Sequence, residues 1–438
     1  MKLALKGGRV VDPRNGLDGT MDVLIEEGKI VAIGMDLGGS LGPQDGRVLD
    51  VSGKAVLPGL IDMHVHLREP GREDEETIET GTLAAARGGF VAVACMPNTD
   101  PPLDTGAAVT FVLSRARETG HVRVLPVGAI TKGLAGVELA EVGELRKAGA
   151  VAISDDGHPV ASSRVMRYAM EYASMFDIPV ISHAEDVELS AGGAINEGYW
   201  STRLGLPGIP AAAEEAMVAR DILLAELTGA RLHIAHVSTA GSVDLVRRAK
   251  ERGVKVTCEA TPHHFTLTDA ATAGYDANTK VNPPLRTERD VEALRRGLAD
   301  GTIDAIASDH APHTAEEKEV EYELAAFGMI GLETALPLAI TELVKTGVLA
   351  LGQLVERMSY APARILGLDW PGLVPGAPAN ITVVDPDASF TVDPSTFASL
   401  SRNTPFGGRR LFGRVFATVV AKEGSVERWT APEDAARS

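Results

Sequence analysis

The chain has 438 residues, more than one average domain but within reach of a (β/α)8 barrel with additions. It is 45% hydrophobic and 23% charged with a net charge of −18, so it can build a large core but offers no basic patch to nucleic acid or an anionic membrane. Cys95 and Cys258 both lie in apolar runs, which excludes a disulfide framework. No apolar run is long enough to span a bilayer or act as a leader, so a soluble cytoplasmic protein is expected.

Residues 1–55 alternate in the β manner (LALKGGRVVD, MDVLIEEGKIVAIG, RVLDVSGKAVL), broken by a glycine-rich loop at 37–47. They predict strands of a small sheet lying outside the main body. From residue 56 to 368, apolar strand-like runs alternate with helical stretches. Strands are expected near 60–66, 90–96, 122–129, 150–155, 178–183, 231–237, 254–260 and 303–309. Helices are expected at 76–88, 105–119, 136–148, 162–176, 211–229, 240–252 and 287–300. Eight such alternations imply an α/β parallel barrel, whose functional groups belong at the C-terminal ends of its strands. The stretch 310–330 is long, charged and weakly patterned, and its place after the eighth strand marks it as an active-site loop that closes over substrate. Helices near 332–346 and 351–357 follow. Residues 369–438 return to β alternation and are expected to join the first strands in one small domain.

Strand ends carry the chemistry. In LPGLIDMHVHLREPG, His64 and His66 stand two apart on one strand and project from one face at one depth, half of a transition-metal site. Arg68 shares their parity and is expected to reach beyond the metal toward an anionic group. His183 and His236 end two further strands. His233 has the opposite parity to His236 and is expected to face the outer helices as a structural residue. His263 and His264 are adjacent and cannot both face inward; His121 and His158 read as loop residues. Of the neighbours Asp155 and Asp156, Asp156 shares parity with the small residues Ala152 and Ser154, which suit a barrel interior. Asp309 shares a face with Ala305 and Ala307. The candidate set is therefore His64, His66, Asp156, His183, His236 and Asp309. Four imidazoles and two carboxylates exceed one tetrahedral zinc and suit two divalent ions that share a carboxylate, lower the pKa of a bridging water and polarise a carbonyl. Asp309 is placed to take the water's proton and pass it to a leaving nitrogen.

With CMPNTDPP, ISDDG, SHAED, HIAHVSTAGS, CEATPHHF, VNPPLR, SDHAPH, FGMIGLET and NTPFGG added to LPGLIDMHVHLREPG, the chain resembles the class I dihydroorotases of the amidohydrolase superfamily over nearly its whole length. The resemblance implies a (β/α)8 TIM barrel with a small β-sandwich built from both termini. It implies one zinc at His64, His66 and Asp309, a second at His183 and His236, and Asp156 shared between them. It further implies substrate contacts at His66, Arg68, Asn98, Asn282, His313 and the Phe327–Gly328 backbone. The implied reaction is hydrolysis of the cyclic amide of dihydroorotate. The implied partners are the small-molecule substrate, a second copy of the chain in a homodimer, and aspartate transcarbamoylase. Two rivals stand beside it. One is an allantoinase or hydantoinase, against which Arg68 and the absence of lysine from 149–158 both speak. The other is an inactive structural subunit, against which all six filled ligand positions speak. The superfamily's closing ADL motif reads Ala379-Asn380-Ile381 here, a change expected to matter for the sheet only.

Overall fold

A computed structural model describes residues 2–37, 46–422 and 425–430. Eight parallel strands follow one another in chain order: Leu60–Val65, Phe90–Cys95, Arg123–Ala129, Ala152–Ser154, Val180–Ser182, Leu232–Ile234, Val256–Ala260 and Ala305–Ile306. Apart from Arg123 and the half-buried Thr257 their residues are buried, the pattern of a parallel sheet covered on both faces. The last strand returns to the first through a bridge between Val65 and His310, with His66 N–H donating to His310 O at 2.8 Å. The buried Asp62 carboxylate reinforces this seam by accepting from both His64 N and Ser308 N. Strands four, five, six and eight are shorter than their apolar runs suggest, because the chain leaves the ladder where its polar residues turn into the mouth.

Helices wrap the barrel, and their starts follow simple capping chemistry. Thr77, Thr105, Ser162 and Thr239 each accept a hydrogen bond from a backbone N–H of the first turn of Ile78–Arg87, Gly106–Thr119, Ser163–Ser174 and Ala240–Glu251. The helix expected over 136–148 is confined to Val142–Ala148, with a separate tight turn at Lys132–Leu134. Between strand five and the helix Ala211–Thr228, a two-stranded ribbon (Ile195–Asn196 with Gly208–Ile209) and a short helix Tyr199–Leu204 build a small apolar cluster that also takes in Tyr322. The stretch 310–330 contains a short helix, Ala315–Lys318, started by a capping box of Thr314 and Glu317.

Both ends of the chain form one eight-stranded mixed sheet around its own core, which includes Leu5, Val23, Ile25, Val56, Ile381, Val383, Ala417 and Val419. Ala55–Pro58 pairs antiparallel with residues 381–384, and Ser425–Thr430 closes the far edge against Arg410–Lys422. The glycine-rich stretch at 37–47 falls, at 38–45, outside the described residues. Asn380, the variant position of the closing motif, accepts from Ala421 N through its side chain and so ties two strands of this sheet. Thr382 bonds Gly89 O and Leu60 N, locking sheet to barrel. Gly59 is required here, because a Cβ would collide with Val91. Among the described residues no helix is long and apolar enough to cross a membrane.

Candidate active site

At the C-terminal mouth of the barrel the two strand-one histidines meet both aspartates. His66 Nε2 lies 3.2 Å and His64 Nε2 3.6 Å from Asp309 Oδ1. Asp156 stands at the centre. Its Oδ1 is 3.3 Å from His64 Nε2, 3.5 Å from His236 Nε2 and 3.6 Å from His183 Nδ1, and its Oδ2 is 3.5 Å from His66 Nε2. The neighbouring Asp155 turns away to accept from Ile130 N and Thr131 N. Two overlapping groups, His64–His66–Asp309 and His64–Asp156–His236, could each hold a metal ion, and His183 Nδ1 reaches the second at 2.9 Å from His236 Nε2.

The donor set passes three tests for a divalent cation. Ligands about 2.0–2.1 Å from a tetrahedral ion stand about 3.3 Å apart, close to the separations found. His64 Nε2 and Asp156 Oδ1 are buried without a hydrogen-bond partner, a costly arrangement that a cation would relieve. The remote ring nitrogens of three of the four histidines are held by acceptors, and that of His236 is buried without one. His64 Nδ1 donates to Glu259 Oε1 at 2.7 Å, His66 Nδ1 to Asn98 Oδ1 at 2.8 Å, and His183 Nε2 to Glu185 Oε2 at 3.1 Å. Each bond fixes the tautomer that aims a lone pair inward.

Electrostatics agree. Burial disfavours charged rings, yet Asp156 and Glu259 hold His64 well above its ordinary pKa, and the nearby carboxylates of Asp156 and Glu185 lift His183 to about 10. Burial works against charge on Asp309 as well, but the His66 hydrogen bond and the field of His64 and His236 keep its carboxyl below the usual range. His66 runs the other way: burial lowers it further than Asp309 raises it, and Arg68 adds to the fall. A cluster that pulls protons onto its imidazoles attracts positive charge of any kind.

The residues named as substrate contacts sit beside this cluster, and most are already engaged. The Arg68 guanidinium is buried; its Nε donates to Pro312 O at 3.1 Å, and a terminal nitrogen lies 3.4 Å from His313 Nε2. His313 Nε2 also donates to Phe327 O at 2.8 Å, and its Nδ1 faces Glu317 at 2.9 Å. Gly328 N donates to Lys280 O, and Gly328 O accepts from Lys318 Nζ and Asn403 Nδ2. Asn282 Nδ2 donates to Glu185 at 2.9 Å. Arg68, His236 and Asp309 have φ of 61°, 31° and 49°, left-handed backbone that non-glycine residues adopt at a cost of about 1–3 kcal/mol and that clusters at functional sites.

That backbone corrects two parity arguments. His233 does not face the outer helices. It lies in the barrel interior, Nδ1 on Thr257 and Nε2 on Glu259, because the strand ends at Ile234 and the left-handed turn at His236 breaks the alternation. Arg68 likewise reaches its place through the turn after Val65, not through strand parity. His264 is bonded to Thr261 and Pro283 O, and burial pushes it down to about 3, a neutral structural ring. Sequence reasoning passed over Glu259, Glu185, Glu75 and Glu317, the carboxylates that hold the site's cationic and imidazole groups. Glu185, two residues past His183 in SHAED, and the Thr314–Glu317 capping box were the available signals.

Comparison with known proteins adds a lineage. Residues 53–242 match the family model described as "Dihydro-orotase-like". The "Dihydroorotase" of Pelotomaculum thermopropionicum is 61% identical over 96% of this chain and 97% of its own, and that of Acetivibrio thermocellus is 57% identical over 95% and 97%. Among solved structures, the "L-Hydantoinase (Dihydropyrimidinase)" of Arthrobacter aurescens superposes with a TM-score of 0.85 at 28% identity, covering 97% of both chains. The dihydropyrimidinase of Brevibacillus agri gives 0.84 at 26%, covering 97% of this chain and 95% of that one.

Proposed function

The chain belongs to the dihydroorotase family, and from that premise we propose that it catalyses the reversible hydrolysis of the cyclic amide of (S)-dihydroorotate to N-carbamoyl-L-aspartate in pyrimidine biosynthesis. The observation that carries the reading is the buried Arg68–His313 pair beside the histidine–aspartate cluster: a ligand seated on the cluster has a cationic corner for a ring carboxylate, which hydantoins lack.

Two zinc ions are part of the proposal. His64, His66, Asp156 and Asp309 would hold one, and Asp156, His183 and His236 the other. Bound there, they supply Lewis-acid polarisation of the amide carbonyl and a water acidic enough to attack near neutral pH. The protein's own groups do the rest. Asp309, kept anionic by His66 and its neighbours, accepts the attacking water's proton and delivers it to the ring nitrogen as the C–N bond breaks. Arg68 offers its terminal nitrogens to the free carboxylate as a planar fork, and His313 stands beside it. Asn98 and Asn282 hold His66 and Glu185 and so tie substrate contacts to ligand orientation. The reverse reaction consumes one proton, so acid favours the cyclic product whatever the catalyst.

Cytoplasmic placement, a homodimer and association with aspartate transcarbamoylase complete the proposal, carried by the family resemblance alone. The deciding experiment is metal analysis of the purified protein together with turnover of dihydroorotate, hydantoin and allantoin. Preference for dihydroorotate with about two metals per chain is expected; preference for hydantoin or allantoin would replace this reading with its rival.

A further inference from the structure

A second knot of charge lies against the clamp, and at its centre is a residue with no part in the proposed chemistry. Glu75, in the loop after Gly71, is fully buried. Its Oε2 lies 2.8 Å from Arg68 Nε, but the Nε–H is directed at Pro312 O, so Oε2 has no hydrogen bond of its own. Its Oε1 pairs with Arg72 and lies 3.3 Å from His313 Nδ1. One carboxylate thus contacts both cationic groups assigned to the substrate carboxylate. It meets each at a secondary edge: Nε of Arg68, away from the terminal fork, and Nδ1 of His313, away from the Nε2 that faces Arg68. Together with His313 and Glu317 it could also hold a metal ion, but Arg68 and Arg72 already supply positive charge there.

We propose that Glu75 is a positioning residue for substrate recognition, which holds the Arg68 fork and the His313 ring in the orientation that receives the ring carboxylate. This rests on the dihydroorotase reading. With Nε–H spent on Pro312 O and the Glu75 carboxylate packed against the same edge, an incoming carboxylate meets only the terminal pair. A purely structural counter-ion would also stabilise buried Arg68, but its loss would weaken every ligand alike. A positioning residue matters only for ligands that use the fork.

The test compares wild type, Glu75→Gln and Glu75→Ala. It measures kcat and KM for dihydroorotate and inhibition constants for N-carbamoyl-L-aspartate and N-carbamoyl-β-alanine. The latter keeps the ureido group and reacting carboxylate but lacks the carboxylate that Arg68 is assigned to hold. In Glu75→Gln, KM should rise roughly tenfold, with kcat changed less than about threefold and metal content unchanged. The inhibition constant for N-carbamoyl-L-aspartate should rise in step while that for N-carbamoyl-β-alanine stays within about twofold. Formate should partly restore KM in Glu75→Ala by refilling the space. Unchanged KM in the Gln variant, or equal weakening of both inhibitors, overturns the proposal. A wild-type protein that leaves dihydroorotate untouched overturns the underlying reading and this inference with it, a result visible before any substitution is made.

Discussion

The histidine–aspartate cluster and the proposed carboxylate clamp share one barrel mouth but treat their polar atoms in opposite ways. In the cluster, His64 Nε2 and Asp156 Oδ1 are buried with no hydrogen-bond partner, while the outer nitrogens of His64, His66 and His183 are fixed by Glu259, Asn98 and Glu185. In the clamp, Phe327 O, Gly328 N and both nitrogens of His313 are already bonded within the protein. The cluster is built on strand ends and stands ready for a cation that completes it. The clamp is built on loops, so a substrate must exchange internal bonds for its own. Affinity for metal should therefore depend on rigid supporting partners, and affinity for substrate on how easily loop contacts trade places.

The largest effect should come from Asp309, the one group proposed both as ligand and as proton carrier. Asp309→Asn should lower kcat by at least on the order of 10²–10⁴. Near-normal turnover with a full complement of metal, measured by stopped-time assay and atomic absorption, would break the assignment. Next is the support of the cluster. Glu259→Gln leaves an acceptor for His64 but removes the charge that raises its basicity, and should weaken metal binding roughly 10–100-fold in chelator competition. Unchanged affinity would show that the strand backbone alone orients His64. The clamp should respond on the other axis. Arg68→Lys keeps a charge and loses the fork, so KM for dihydroorotate should rise on the order of tenfold with metal content unaffected. A fall in bound metal would mean that cluster and clamp are not separable.

The smallest effect sharpens the comparison through pH. Lys318 is buried in the clamp's loop, with Nζ on Ala326 O and Gly328 O and no ion pair among the described residues. Burial, and then Lys280, push its pKa down from 10.5 to about 7. The unfolded chain therefore binds more protons than the folded one between those values. Below about pH 7 both forms are protonated and the cost of burying the ammonium is present in full; as pH rises toward 10.5 it is relieved. This group should make stability rise with pH above 7, with a slope up to about 1.4 kcal/mol per pH unit. Urea unfolding of wild type and Lys318→Met from pH 7 to 9.5 isolates that slope, and parallel lines would show that Lys318 does not titrate there.

Strand periodicity made the barrel legible, because eight buried apolar runs alternating with capped helices admit few other arrangements. Parity also separated Asp156 from Asp155, since small inward residues precede it on a strand that stays regular. It failed for His233 and Arg68, where left-handed turns reset the direction of the side chains. The supporting carboxylates were hidden for a different reason. Glu259 meets His64 across 195 positions and Glu317 meets Arg72 across 245, pairings that exist only once the barrel has closed. The clamp's engaged state was equally invisible, because residue types reveal what a loop can bind and not what it already holds.

The sheet shared by both termini sets a schedule for biosynthesis. Ala55–Pro58 pairs with Lys2–Asp12 along one edge but finds the partner of its other edge only at residues 381–384, so at about 5–20 residues per second a nascent chain waits roughly 15–65 s before that edge is covered. Throughout that interval the barrel can assemble on the ribosome while an apolar ribbon with open backbone groups trails beside it, an invitation to intermolecular pairing. Truncation before residue 381 would make the interval permanent, and its cost would be read as aggregation during expression more than as lost chemistry in the surviving soluble fraction.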